Sequence, residues 1–135
     1  IGEIPLKITY PAMTGKEWML STGSDPKNVA WSYHNGGNWP VLIWPFVGAA
    51  IRTGYTDIAE HALRLLDERI EADRWPEYYD GKRGGLIGRR ANFFQVWSVT
   101  GLIVAREIHE NPESRALFDR CTRVDIDAVH CPDLT

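Results

Sequence analysis

The chain lacks the features that mark several large classes of protein. It has only two cysteines among 135 residues, too few for the disulfide framework of a small secreted domain. Fifteen basic against 18 acidic side chains give a net charge of −3, so the basic surface of a nucleic-acid-binding or polybasic membrane-surface protein is missing. The longest apolar run, from Trp39 to Ile51, is shorter than the roughly 20 residues of a transmembrane helix. We therefore expect neither a nucleic acid nor a membrane as a partner.

Tryptophan is the residue type present in clear excess, with six copies beside 12 glycines. The six are Trp18, Trp31, Trp39, Trp44, Trp75 and Trp97. Rings of this size usually fill a hydrophobic core, because each buries a large apolar area. Their flat faces also stack on pyranose rings in sugar-binding clefts, although composition alone favours the core. We assign Trp44 and Trp97, which lie on apolar helical segments, to the core.

Hydrophobic periodicity predicts four helices after an irregular N-terminal region that proline and glycine interrupt up to residue 37. The helices are expected over about residues 38–53, 57–72, 92–110 and 112–120. Between the second and the third lies a short aromatic segment whose turn residues indicate a β-hairpin-like insertion ending in Leu86-Ile87. The sequence therefore predicts an all-α fold of helix hairpins, in which this insertion carries Glu77.

Glu77 is the carboxylate whose surroundings point most clearly to chemistry. It stands between Pro76 and two tyrosines in the sequence W-P-E-Y-Y-D-G. A carboxyl group held against apolar rings is suited to proton transfer near neutral pH, because burial disfavours the charged form. The competing interpretation is a loop glutamate in a salt bridge, and the aromatic context makes the two about equal. In an extended segment Glu77 and Tyr79 would share one face, and Tyr78 and Asp80 the other.

A second aromatic and polar cluster, W-S-Y-H-N-G-G-N-W-P over residues 31–40, precedes the first predicted helix. It combines hydrogen-bonding groups with stacking rings, and Gly36-Gly37 lets the backbone approach a ligand closely. The segment contains neither a dinucleotide-binding nor a P-loop motif. A ligand-binding loop and a purely structural turn therefore both stay open.

Motifs for metal binding and for nucleophilic catalysis are weak or missing. No G-x-S-x-G sequence marks a serine nucleophile. His109, Cys121, His130 and Cys131 are of metal-ligand type but do not have the paired spacing of a zinc site. We therefore expect no metal, and two free thiols.

Three motifs stand out by their length and order. The first runs from D-P-K-N at residues 25–28 through W-S-Y-H-N-G-G to Trp39-Pro40. The second is W-P-E-Y-Y-D-G-K at residues 75–82, and the third is Q-x-W-S at residues 95–98. In content, order and spacing they resemble the signatures of the alkaline/neutral invertases, glycoside hydrolase family 100. The resemblance covers about residues 3–110.

This resemblance implies an (α/α)6 barrel, of which residues 1–120 would form a C-terminal part. The composition of residues 121–135 predicts a polar tail after it. The resemblance also implies hydrolysis of sucrose to glucose and fructose with inversion, by an acid that protonates the glycosidic oxygen and a base that activates water. Glu77 matches the base, whereas the acid belongs to an N-terminal segment outside this chain. The resemblance further implies a cytoplasmic enzyme that needs no cofactor or metal and that can form homo-oligomers.

The residues that we expect to contact sucrose lie in the same motifs. They are Trp31, Tyr33, His34, Asn35, Trp75, Tyr79, Asp80 and Gln95. Because the acid lies outside the chain, we expect the isolated chain to be inactive. Two alternatives stay open: a non-catalytic carbohydrate-binding fragment, and an (α/α)-barrel glycosidase or epimerase that acts on another sugar.

Overall fold

The computed structural model describes residues 4–86 and 92–121, without the side chains of Thr22 and of residues 117–121. These residues form five α-helices and two short 3-10 turns, at Pro26–Asn28 and Pro40–Leu42, and contain no β-strand. The helices are α1 (Lys16–Thr22), α2 (Ile43–Arg52), α3 (Thr56–Asp67), α4 (Val96–Glu110) and α5 (Pro112–Cys121). The all-α prediction is confirmed for this described part of the chain, where no helix is both long and apolar enough to cross a membrane.

The observed helices differ from the predicted ones at the starts of α2 and α4 and at the end of α3, which stops at Asp67 instead of near residue 72. α2 begins at Ile43, because the chain first makes the 3-10 turn that contains Pro40. Pro45 thus falls in the first turn of α2, where its missing N–H group has no helical partner to lose. α4 begins at Val96, because the backbone of residues 92–95 hydrogen-bonds to residues 74–77 instead.

α1 lies in the region that the sequence predicted to be irregular. The helix has only seven residues, fewer than two full turns, so its apolar positions set up no readable period. The one local signal is Gly23, whose φ of 65° ends the helix in the left-handed conformation that glycine adopts without strain.

The hydrophobic core lies where α2, α3 and α4 pack against each other. The buried face of α3 includes Ala59 and Leu66, which are fully enclosed. α4 comes close to the chain entering α2 at Gly101, where a Cβ atom would lie 3.0 Å from the Cα of Val41. Tyr79, from the second motif, is part of the same core. The core therefore anchors the segment that carries Glu77.

Trp44 and Trp97 are not in the core, and their assignment to it is wrong. They are 38% and 43% exposed and line an apolar cavity of about 760 Å³. Phe94, Val96 and Val104 line the same cavity. The cause is that α2 and α4 carry apolar side chains on more than one face, and the described helices cover only part of that surface.

The (α/α)6 barrel, the β-hairpin-like insertion and the domain boundary at residue 120 stay predictions. Tyr79 makes isolated antiparallel bridges with Asn38 and Leu86. Ile87, the predicted end of the insertion, and residues 122–135, most of the predicted tail, lie outside the described residues.

Candidate functional site

The segment that leads to Glu77 is hydrogen-bonded to the start of α4. The N–H of Gln95 donates to the carbonyl oxygen of Trp75 at 3.0 Å. The hydroxyl of Ser98, which is fully buried, donates to the carbonyl oxygen of Pro76 at 2.9 Å. Because both acceptors are backbone atoms, these bonds fix the main chain immediately before Glu77.

Glu77 is nearly buried, with 7% of its surface exposed, and its hydrogen-bond partner is Asn92. Nδ2 of Asn92 donates to Oε2 of Glu77 at 2.9 Å, and the N–H of Glu77 donates to the carbonyl oxygen of Asn92 at 2.7 Å. Among the side chains that the structure describes, no cationic group forms an ion pair with this carboxylate. The interpretation of Glu77 as a loop glutamate in a salt bridge therefore has no support in that part of the chain.

The backbone is strained at two successive residues, three and two positions before Glu77. Arg74 and Trp75 both have positive φ, at 61° and 53°, a conformation that costs a residue with a side chain about 1–2 kcal/mol. The N–H of Trp75 donates to the carbonyl oxygen of Ile70 at 2.9 Å, which holds this conformation in place. The guanidinium of Arg74 lies 4.3 Å from the centre of the Phe93 ring. Strain of this kind collects at functional sites, where the surrounding structure over-determines the backbone.

Four rings of the first and second motifs form an aromatic cluster: Tyr33, His34, Trp39 and Tyr78. Tyr33 stacks on His34 with ring centres 4.0 Å apart, and Trp39 stacks on Tyr78 at 5.5 Å. The indole N–H of Trp39 donates to the carbonyl oxygen of Tyr33 at 3.0 Å. Trp39 and Tyr78 are buried, Tyr33 is half-buried and His34 is exposed, so the cluster presents Tyr33 and His34 at the surface.

The aromatic cluster lies within electrostatic reach of Glu77. Burial, then the negative charge of Glu77, then that of Asp25, raise the pKa of Tyr33 above its usual range. The phenol of Tyr33 therefore stays protonated and remains available as a hydrogen-bond donor. The first and second motifs, distant in sequence, thus contribute to one site.

Backbone contacts join the two motifs directly. Asn38 and Tyr79 exchange N–H to carbonyl hydrogen bonds of 2.9 and 2.8 Å, and the N–H of Gly81 donates to the carbonyl oxygen of Trp31 at 2.7 Å. A Cβ atom on Gly81 would lie only 1.6 Å from the carbonyl oxygen of Gly36. The contact is therefore possible only because residue 81 has no side chain.

Asn35, a predicted sugar contact, is occupied by structural hydrogen bonds. The residue is fully buried, and Oδ1 accepts from the N–H of Met13 at 2.7 Å. Nδ2 donates to the carbonyl oxygens of Met13 and Asn28, both at 3.0 Å. This geometry favours a role in holding the first motif against the N-terminal segment over a contact with a sugar.

Replacing Asn35 by Ala is expected to lower the free energy of unfolding by about 1–3 kcal/mol, because it leaves buried backbone groups without partners. A structural role predicts a fall in Tm, measured by thermal unfolding. If Asn35 instead served only as a sugar contact, the variant would keep its Tm and raise the KM for the sugar.

Asp80 and Tyr79 are likewise engaged within the protein. Oδ1 of Asp80 accepts from the backbone N–H groups of Lys82 and Arg83, at 3.0 and 2.7 Å, and so closes a turn. Tyr79 is fully buried, with the guanidinium of Arg69 4.3 Å from its ring centre. Burial, with the carboxylate of Asp73 adding to it, raises the pKa of Tyr79 well above its usual range.

The other predicted contacts do not all converge on Glu77. Trp31 lines a cavity of about 440 Å³ together with Asp80, Lys82 and Arg83. Gln95 lines the apolar cavity of α2 and α4 instead, and Trp75 is half-buried against the core. Among the predicted contacts, Tyr33 of the aromatic cluster is the one on which the charge of Glu77 is seen to act.

No group of three or more His, Cys, Asp or Glu side chains with metal-site geometry occurs in the part of the chain that the structure describes. The side chain of Cys121, together with His130 and Cys131, lies outside that part. The expected absence of a metal therefore stays an expectation.

Comparison with known proteins places this chain in a family. The family model described as alkaline and neutral invertase matches residues 1–112. The chain is 54% identical over 112 residues to cytosolic invertase 1 of Oryza sativa subsp. japonica, and 53% identical over 112 residues to alkaline/neutral invertase E, chloroplastic, of Arabidopsis thaliana. It is 46% identical over 118 residues to neutral/alkaline invertase 3, chloroplastic, of Oryza sativa subsp. japonica.

The match covers most of this chain but little of each relative. For cytosolic invertase 1 and invertase E, the aligned region is 83% of the chain and 20% and 18% of the relative. For neutral/alkaline invertase 3 it is 87% of the chain and 20% of the relative. The chain thus spans about a fifth of the length of these curated relatives.

Proposed function

The chain belongs to the alkaline and neutral invertase family, and from this premise we propose that the whole protein containing it hydrolyses sucrose to glucose and fructose. The observation that carries the proposal is the position of Glu77. Its carboxylate is nearly buried, has no ion pair among the described residues, and lies beside an aromatic cluster that presents Tyr33 and His34.

In the proposed mechanism Glu77 is the general base of an inverting reaction. Its carboxylate accepts a proton from a water molecule as the water oxygen bonds to the anomeric carbon of the glucosyl ring. The bond from that carbon to the glycosidic oxygen breaks, and a general acid protonates the departing fructose. We place this acid in a part of the protein outside the present chain.

The proposed sugar contacts divide by their geometry. Tyr33 and His34 are supported most directly, because they are the rings that the aromatic cluster presents at the surface. The charge of Glu77 acts on Tyr33, whose protonated phenol can donate to a sugar hydroxyl. Trp31, Trp75 and Gln95 stay proposals with less geometric support. For Asn35, Tyr79 and Asp80 we propose mainly structural roles.

We propose that the whole protein is cytoplasmic and can form homo-oligomers, as the family resemblance in the sequence implies. The relatives do not decide between compartments, since one is named cytosolic and two are named chloroplastic. Sedimentation of the whole protein and imaging of a tagged copy would test these two points.

The chain of 135 residues expressed alone is expected to release no glucose from sucrose, because it does not supply the acid. The measurement is a coupled glucose assay on the isolated chain, with circular dichroism to establish helical folding and the whole protein as the positive control. Sucrose hydrolysis by the folded isolated chain would show that the acid lies within it, against the proposed mechanism.

A further inference from the structure

Asn92 contacts Glu77 through both its side chain and its backbone. Its Nδ2 donates to Oε2 of the carboxylate at 2.9 Å, while its carbonyl oxygen accepts the N–H of Glu77 at 2.7 Å. The first bond orients the carboxylate plane, and the second fixes the Cα from which that side chain extends. One residue thus controls both the place and the direction of the proposed base.

The chemistry of an amide donor suits this task. An amide N–H does not titrate, so it orients the carboxylate without competing for the proton that the base must accept. Only Oε2 is bound by Asn92, and the described residues provide no cation that would neutralise the charge. In the proposed mechanism we therefore assign the proton from water to Oε1, the carboxylate oxygen that Asn92 does not bind.

The hydrogen bond between Asn92 and Glu77 belongs to a larger set of contacts between the same two segments. Asn92 opens the stretch of residues 92–98 whose backbone and Ser98 hydroxyl bind the segment before Glu77. The bond from its side chain to the carboxylate extends this set of contacts to Glu77 itself. The charge of Glu77 also acts on Tyr33 of the aromatic cluster.

We propose that Asn92 is the positioning residue of the base, holding Glu77 so that Oε1 faces the attacking water. The proposal rests on the function proposed above. Displacing a reacting group by about 1 Å costs up to about 100-fold in rate, so loss of the Asn92 contact should lower kcat while binding of sucrose is retained.

The test compares Asn92→Ala, Asn92→Asp and Asn92→Gln in the whole protein. We expect Asn92→Ala to lower kcat for sucrose by about 10- to 100-fold with KM changed by less than about twofold. Asn92→Asp keeps the shape but loses the donor, so its kcat should fall at least as far. Asn92→Gln keeps an amide donor and should recover part of the loss.

The matched control is Asn111→Ala, because Asn111 also donates to a glutamate, Oε1 of Glu107 at 2.8 Å, at the far end of α4. Its kcat and KM should stay those of the unmodified protein. Normal kcat in Asn92→Ala would overturn the positioning role, as would equal loss in Asn92→Ala and Asn92→Gln accompanied by a lowered Tm.

The failure of this proposal is distinguishable from failure of the proposed function. If the Glu77→Gln variant keeps its activity, Glu77 is not the base, and Asn92 has no base to position. An inactive Glu77→Gln variant together with a fully active Asn92→Ala variant removes only the positioning role.

Discussion

The Glu77→Gln variant of the whole protein is expected to turn over sucrose about 10²- to 10⁴-fold more slowly, with little change in KM. Glutamine has nearly the same shape and can keep the bond from Asn92, but its amide cannot accept a proton from the attacking water. The loss should therefore appear in kcat. The measurement is initial-rate glucose release over a range of sucrose concentrations.

The control for this experiment is Glu68→Gln. Glu68 follows α3 directly and is exposed, and its ion pair with Arg64 lies wholly at the surface. Removal of this ion pair should therefore leave kcat and KM unchanged. Near-normal turnover by the Glu77→Gln variant would remove Glu77 from the mechanism.

The unmodified whole protein separates the other functions considered. Binding of sucrose without turnover would favour a non-catalytic carbohydrate-binding protein. Turnover of a different sugar in a substrate panel, with none of sucrose, would favour another glycosidase or an epimerase.

The sequence predicted the helical class and the family because both depend on local patterns. The spacing of Ala59 and Leu66 marks a buried face of α3 without reference to any other element. The W-P-E-Y-Y-D-G motif likewise makes Glu77 a candidate base from neighbours within a few residues, and this assignment stays a prediction. The family assignment from these motifs is confirmed by the match over residues 1–112.

The partner of Glu77 could not be predicted, because the pairing is not local. Asn92 is separated from Glu77 by the whole predicted insertion, and the helical pattern assigned it to the start of a helix. The structure instead leaves it in a non-helical stretch before α4, since its carbonyl oxygen accepts the N–H of Glu77. Only the tertiary docking reveals this pairing.

Alternation along the second motif could not decide which tyrosine reaches the site. Period-2 geometry separates Tyr78 from Tyr79 but does not say which face is the core. Tyr79 enters the core because its backbone pairs with Asn38 and its ring lies under Arg69. Tyr78 consequently stacks on Trp39, and it is Tyr78 that joins the aromatic cluster.

Exposure of Trp44 and Trp97 shows a second limit of local patterns. An apolar helix is predicted to be buried, but the prediction does not say by what. Here the described helices cover only part of the apolar surface of α2 and α4, and these rings line the cavity that is left.

The Gly81→Ala variant is expected to lose about 3 kcal/mol or more of unfolding free energy. The new Cβ would lie 1.6 Å from the carbonyl oxygen of Gly36, and neither atom belongs to a flexible side chain that could turn away. The first and second motifs must therefore separate, which breaks the 2.7 Å hydrogen bond from Gly81 to Trp31 and displaces the segment that carries Glu77. Thermal unfolding measures the loss, and kcat should fall with it.

Gly85→Ala is the matched control for this loss, because it makes the same chemical change in the same loop. A Cβ on Gly85 meets no atom within 4 Å, and its backbone is not in the left-handed region, so the variant should be neutral or slightly more stable. Equal Tm values for the two variants would mean that the motifs tolerate separation at Gly81. In that case the close contact between Gly81 and Gly36 would not be needed to hold the segment that carries Glu77. The hydrogen bonds from residues 92–98 to that segment would then be sufficient to hold it in place.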